Sequence, residues 1–380
     1  MPLSGVERYG HGGDRWTAGE MFARSADTFI DFSANINPLG PPDAVMRVLR
    51  EALEDKGAPV LTRYPDPRAR NLKRALAKRY GLSEECLMIG NGGAELIDLV
   101  NAAVRPSRVG VMTPSFAEYE ASARKRGQET VYLPTEEREG FQPEPEALFK
   151  WVRTVDLAYL GHPNNPTGLT IPYRQLLAVA EEAAIAGTVL VIDEAFLDFV
   201  PDGQAHSLLS RLMDFPTTVL LRSMTKFYAL PGLRLGWGVA SPDWIRRIEA
   251  HQVSWSINGL AQLAGEAALT DQFFEKATHR WLSVERDFLM DGLQKLSGVR
   301  PIPGEVNYFL LKLDSSVLEG SAGVSRRLQK ALGERGILIR DCSTYPGLDD
   351  TYVRVAVRSR KENALLLQKL EEVLEKGEVF

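Results

Sequence analysis

Arg222 to Gly236 reads RSMTKFYALPGLRLG, and at its centre a lysine stands in unusual company. Lys226 follows the apolar run Thr218 to Leu221 and is succeeded at once by Phe227, Tyr228, Ala229 and Leu230. A lysine withdrawn from water loses part of its preference for the charged state, and the free amine can form an imine with an aldehyde. Ser223, three residues before it, and Arg234, eight after it, are donors suited to a phosphate. Taken alone, SxxK spacing reads first as a lysine that lays its stem along apolar surface and keeps its ammonium in water.

The runs that flank this stretch, Thr218 to Leu221 and Gly236 to Ala240, are two of a series. Arg108 to Met112, Leu157 to Leu160 and Val189 to Ile192 are equally short and apolar. Between the runs lie segments with helical period: Val45, Leu49 and Leu53 stripe 43–56, and Leu72, Leu76 and Tyr80 stripe 66–80. Short buried runs alternating with helices predict a mostly parallel, mixed sheet in an α/β fold. The last third changes character. It predicts one long helix or two in series over 260–296, a strand at 307–313 and a helix at 324–332. Strands at 337–340 and 352–357 and a closing helix over 361–376 complete an α+β arrangement. The expected division is an N-terminal arm, 1–42, a large cofactor domain, 43–258, and a small C-terminal domain, 259–380.

Bulk properties set limits on partners. With 45 Lys plus Arg against 50 Asp plus Glu, the net charge is −5 and gives no basic stripe for nucleic acid. The most apolar stretch, Thr188 to Val200, is interrupted by Asp193, Glu194 and Asp198, so no membrane span is expected. Residues 1–16 lack the apolar core of a secretory signal, and Cys86 and Cys342 form no CxxC pair, which together predict a cytoplasmic protein. The five histidines are scattered without ligand spacing, so no metal site is expected.

Four further positions bear on Lys226. Asp193 follows the run Val189 to Ile192 and so falls at the carboxyl end of a strand, where open α/β sheets bind ligands. There it can pair with a protonated pyridine nitrogen or merely cap a turn. Gly90 to Ala94, GNGGA, precedes a helix at 95–104 whose free N–H groups can cradle a phosphate. Asn165, in HPNNPTG, can donate to a ring hydroxyl or serve turn chemistry. Phe116 can stack on a planar ring or belong to the core. A lysine, a carboxylate, an amide, an aromatic ring and several phosphate donors are together the needs of pyridoxal 5′-phosphate.

The segments NNPTG, DEAF, SMTKFYALPGLRLGW and YVRVAVRS resemble class I/II aminotransferase-like enzymes, in the branch that contains histidinol-phosphate aminotransferases and threonine-phosphate decarboxylases. HGG at 11–13, DFSANINPLG at 31–40 and IRDCSTYPGL at 339–348 favour the decarboxylase side. Phe196 stands where histidinol-phosphate aminotransferases usually show a tyrosine and cannot hydrogen-bond the cofactor, so the site departs from the aminotransferase pattern. The resemblance implies a fold-type I enzyme with Lys226 as the Schiff-base lysine, Asp193 at the pyridine nitrogen and Asn165 at the ring oxygen. Gly93, Ala94, Ser223 and Arg234 would hold the cofactor phosphate, with Phe116 stacked on the ring and Tyr64 reaching across a homodimer interface. His11, Gly12, Asn35, Asn165, Arg340 and Arg354 match positions that bind O-phospho-L-threonine. The implied reaction is its decarboxylation to (R)-1-aminopropan-2-yl phosphate, for the aminopropanol arm of cobalamin. The alternative is histidinol-phosphate transamination.

Overall fold

The structure is a computed structural model that describes Val6 and residues 11–315 and 323–376. Thirteen strands lie among the described residues. In chain order they are β1 (Ile30–Asp31), β2 (Leu87–Gly90), β3 (Arg108–Thr113), β4 (Glu129–Pro134), β5 (Leu157–Gly161), β6 (Val189–Asp193) and β7 (Thr218–Ser223). They continue with β8 (Gly236–Val239), β9 (Val299–Ile302), β10 (Tyr308–Leu313), β11 (Ile337–Leu338), β12 (Arg340–Asp341) and β13 (Tyr352–Ala356).

Seven of these form one sheet in the order β2-β8-β7-β6-β5-β3-β4. β4, β3, β5, β6 and β7 run parallel, and β8 alone opposes both of its neighbours, so the expected mostly parallel mixed sheet is what the chain forms. The central strands are apolar on both faces because helices cover both. Ala158, Leu160, Leu190, Ile192 and Leu220 pack with the helix Tyr173–Ala186. Leu157, Tyr159, Val189, Val191 and Val219 pack with Gly93–Val104 and Ala117–Lys125. From β3 the chain first adds β4 on one side, then returns to add β5, β6 and β7 on the other. That reversal opens a crevice beyond the carboxyl ends of β3 and β5, the usual ligand position in such sheets.

Four strands escape the sequence reading, β1, β2, β4 and β9, and β1 is only two residues long. β2 and β9 are only four residues long, too short for a period to register. β4 is an edge strand, largely exposed, that starts on Glu129 and ends on Pro134, and edges carry such residues because one side needs no pairing. The stripe predicted over 66–80 becomes a helix only from Arg70 to Tyr80. Asp66 instead accepts from the N–H groups of Arg68 and Arg70 in the preceding turn.

A second sheet, β12-β13-β10-β9, is antiparallel throughout. The strand expected over 337–340 divides between two sheets: β11 pairs with β1 of the arm, and β12 pairs with β13. The long helical segment is two helices in series, Gly259–Ala268 and Gln272–Leu293, separated where Asp271 accepts from the N–H of Phe274. Gly259–Ala268 packs against the helices Asp43–Glu54 and Arg70–Tyr80. The arm is stitched to the rest at Asn37, whose N–H donates to the Lys226 carbonyl and whose amide donates to the Phe227 carbonyl and Thr278. Residues 1–5 and 7–10 of the arm fall outside the described residues.

Candidate active site

The carboxyl ends of β3, β5, β6 and β7, the start of the helix Gly93–Val104 and the arm enclose a cavity of about 800 Å³. Lys226, three residues beyond β7, lines it. Burial, reinforced by the positive charges of Arg354 and Arg234, pulls the Lys226 ammonium down to about 8. The amine is therefore available near neutral pH.

Asp193 ends β6 and faces the same space. Its Oδ2 accepts from the Tyr119 hydroxyl at 2.8 Å and its Oδ1 from the Ala195 N–H at 3.0 Å. Burial pushes this carboxyl up, opposed by those two hydrogen bonds, and no ion pair reaches it among the described residues. A carboxylate held this way lacks a cation that a ligand can supply.

The candidate anion seat is built from backbone. Gly92, at φ 83°, turns the chain into the helix Gly93–Val104 and presents its first N–H groups to the cavity. A Cβ on Gly92 would stand 2.6 Å from the Arg234 guanidinium, so glycine here also makes room for that arginine. Ser223 ends β7, where its Oγ accepts from the Thr225 N–H at 3.2 Å and its own proton is left to donate elsewhere. Phe116 lines the opposite wall, with the His11 ring 5.7 Å away.

On the arm side, Arg354 comes from β13. It donates to Asn165 Oδ1 at 2.5 Å and to the Ser33 carbonyl at 2.7 Å. That first bond leaves the amide nitrogen of Asn165 as the end free to donate. The Nε of Arg354 and the Oδ1 of Asn35 are buried without partners, and both residues line the cavity. Gly12 packs so closely on Ser33 that a Cβ would fall 2.3 Å from its carbonyl oxygen. His11 bonds Glu118 Oε1 through Nε2 at 2.6 Å.

Twelve of the fourteen anticipated residues thus meet around one space: Lys226, Asp193, Asn165, Gly93, Ala94, Ser223, Arg234, Phe116, His11, Gly12, Asn35 and Arg354. Arg340 and Tyr64 lie off its wall. Arg340 is buried with its guanidinium 5.4 Å from the ring of Tyr345, which does line the cavity. Tyr64 is 81% exposed and rests 4.7 Å from Trp255. The sequence reading missed Tyr119 and Glu118, although their signal was present: both follow Phe116 by two or three residues on the helix Ala117–Lys125.

The protein-family model described as aminotransferase class I and II matches residues 27–370. The chain belongs to that family. It is 39% identical to a threonine-phosphate decarboxylase of Salmonella typhimurium over 96% of this chain and 96% of that protein. Among solved structures it is similar to an L-threonine-O-3-phosphate decarboxylase from Porphyromonas gingivalis, with a TM-score of 0.78, 28% identity, and 90% and 99% of the two chains covered. It is also similar to a histidinol-phosphate aminotransferase from Clostridium acetobutylicum, with a TM-score of 0.82, 30% identity, and 91% and 99% covered.

Membership of the aminotransferase class I and II family implies pyridoxal phosphate, and the residues present fit it. A carboxylate without a cation, a lysine with a lowered pKa, an amide with a free donor and a helix N-terminus beside Arg234 converge on one space, where Asn35 and Arg354 retain orphaned polar atoms. Phe196 also lines the cavity, edge-on to Tyr308 at 5.1 Å, and contributes no hydroxyl.

Proposed function

We propose that the protein is a pyridoxal-phosphate-dependent carboxy-lyase that converts O-phospho-L-threonine to (R)-1-aminopropan-2-yl phosphate, the precursor of the aminopropanol arm of cobalamin. The observation that carries this reading is the 39% identity to a threonine-phosphate decarboxylase, which extends over nearly the full length of both chains. The hydroxyl-free Phe196 on the cavity wall agrees with it.

When bound, the cofactor supplies an electron sink for the pair left at Cα when a bond to that carbon breaks. Lys226 holds the cofactor and, with a pKa brought down to about 8, delivers or accepts the proton at Cα. Asp193 holds a proton on the ring nitrogen, and Asn165 donates to the ring oxygen. Gly93, Ala94, Ser223 and Arg234 grip the cofactor phosphate. Arg340 and Arg354 divide the substrate carboxylate and phosphate between them, since a guanidinium fork suits either anion. His11, Gly12 and Asn35 complete that seat. By fixing the substrate carboxylate, Arg340 or Arg354 would select which bond at Cα is broken, favouring loss of CO2 over loss of a proton.

In this reading the protein is a cytoplasmic homodimer, and Tyr64, exposed in the single chain, reaches the cofactor phosphate of the partner's site. The arm 1–42, a cofactor unit 43–258 and a smaller unit 259–380 share the substrate site. The test supplies O-phosphothreonine and follows CO2, then supplies histidinol phosphate with 2-oxoglutarate and follows glutamate. CO2 without glutamate is expected; glutamate without CO2 would replace this reading with the aminotransferase.

A further inference from the structure

Among the described residues, Tyr119 is the one side chain that hydrogen-bonds the Asp193 carboxylate, and neither the reaction nor the cofactor seat accounts for it. Its hydroxyl donates to Asp193 Oδ2 at 2.8 Å. Its ring is buried, lies parallel to that of Tyr159 with 4.9 Å between centroids and 2° between planes, and meets Phe116 edge-on at 5.7 Å. Tyr159 in turn donates to the Ile97 carbonyl at 3.1 Å, inside the helix whose first turn forms the anion seat. The phenol is thereby fixed between two rings and pointed at a single oxygen.

What it does there follows from the surroundings of Asp193. Among the described residues, the groups that stabilise this carboxylate in its ionised form are two neutral donors, the Ala195 N–H and the Tyr119 hydroxyl. A buried carboxylate with so little support has a high proton affinity. Set against a pyridine nitrogen, it competes for the one proton between them. Each hydrogen bond donated to the carboxylate lowers its share. Burial and the adjacent charge of Asp193 push the Tyr119 phenol well above its ordinary range, so it stays a donor throughout the pH range of activity.

We propose that Tyr119 is a positioning residue whose hydroxyl, by bonding Asp193, keeps the proton shared between that carboxylate and the cofactor on the ring nitrogen. The proposal rests on the pyridoxal-phosphate reading of the cavity. It differs from a packing role, which the ring alone would fill.

Tyr119→Phe retains the ring and its stack and removes only the donor. The experiment loads wild type and variant with pyridoxal phosphate labelled with 15N at the ring nitrogen and records the nitrogen chemical shift alongside kcat and KM for O-phosphothreonine. Wild type should show the protonated nitrogen, and Tyr119→Phe a shift moved toward the unprotonated value. The variant's kcat should fall roughly 10- to 100-fold, the worth of one hydrogen bond to a charged group, with KM little changed. Tyr119→His, which restores a ring N–H donor, should recover the protonated signal, and Tyr119→Met, a second variant without a donor, should show the moved shift should the phenylalanine variant not fold. Tyr159→Phe, which keeps the stack, should leave the nitrogen shift at the wild-type value.

An unchanged nitrogen shift in Tyr119→Phe would overturn the proposal, whether or not activity or thermal stability fell, since a structural role alone predicts that result. A wild-type protein that took up no cofactor would overturn the cofactor reading itself, and the proposal with it.

Discussion

Asp193 and Glu194 are adjacent acids at the end of one strand, and the fold treats them in opposite ways. Glu194 points into the core. It accepts from Arg222 Nε at 2.7 Å and from Ser207 at 2.7 Å, and Arg222 also donates to Asp198 at 3.0 Å, so acid and base are withdrawn from water together. Asp193 points into the cavity and has only neutral donors. In the proposed reading, the difference separates a structural charge from one kept for a ligand. The core pair is complete within the chain, whereas the cavity acid needs a cation from outside. Lys226 completes the contrast from the side of the base: burial and two arginines act on it more strongly than the opposing charge of Asp31, and its amine is set free instead of being locked.

The largest effect expected from breaking this arrangement is on Lys226. Lys226→Ala should reduce CO2 release from O-phosphothreonine by roughly a thousandfold or more and abolish the visible cofactor absorbance. Full activity with that absorbance retained would remove the lysine from the reaction.

Next comes the core pair. Arg222→Ala strands the buried Glu194, takes one partner from the half-buried Asp198, and should cost about 3–5 kcal/mol in urea unfolding. Asp193→Asn should do the reverse. Its catalytic rate should fall by roughly a hundredfold or more, because the ring nitrogen loses its partner. Its cofactor-free form should be no less stable than wild type at neutral pH. The sign follows from linkage: burial raises the folded pKa of Asp193, so the native state binds the extra proton and wild-type stability declines as pH climbs from the unfolded value near 3.8 through the folded one. The asparagine variant should lack that decline, and a strongly destabilised Asp193→Asn would show that the two acids are alike after all.

A third expectation concerns the lysine's charge. Uptake of pyridoxal phosphate by the cofactor-free protein should accelerate with rising pH through a midpoint of about 8, since only the neutral amine attacks the aldehyde. A midpoint at the ordinary lysine value of 10.5 would mean that the ammonium is not desolvated. The smallest effect is assigned to Tyr64→Phe. The hydroxyl of an exposed residue contributes almost nothing to the stability of one chain, within about 0.5 kcal/mol. Yet the variant should release cofactor several-fold more readily if the partner's site depends on that hydroxyl, which equilibrium dialysis would detect.

Much of the fold and most of the cavity's polar lining are legible in the sequence, for a local reason. Strands buried on both faces must be apolar along their length, so Val189 to Ile192 and Thr218 to Leu221 declare themselves, and the residues that follow them, Asp193 and Ser223, inherit a position at the sheet's carboxyl edge. The glycine turn before Gly93–Val104 identifies the anion seat in the same way. The edge strand β4 was not legible, because half-solvated residues carry no apolar signature.

What the sequence determined by itself, then, is the inventory of chemical groups and their places at the ends of strands and helices, since those depend on side-chain period over a few residues. Tertiary structure alone decided which groups meet. His11 reaches Glu118 from the arm, and Arg354 reaches both Ser33 and Asn165 from the far end of the chain. Arg222 turns away from the cavity's ligand seat to Glu194, and Tyr119 closes on Asp193. These contacts span long stretches of chain, and none is encoded in local period. They exist because a buried polar group must find a partner wherever the packed elements happen to bring one within reach.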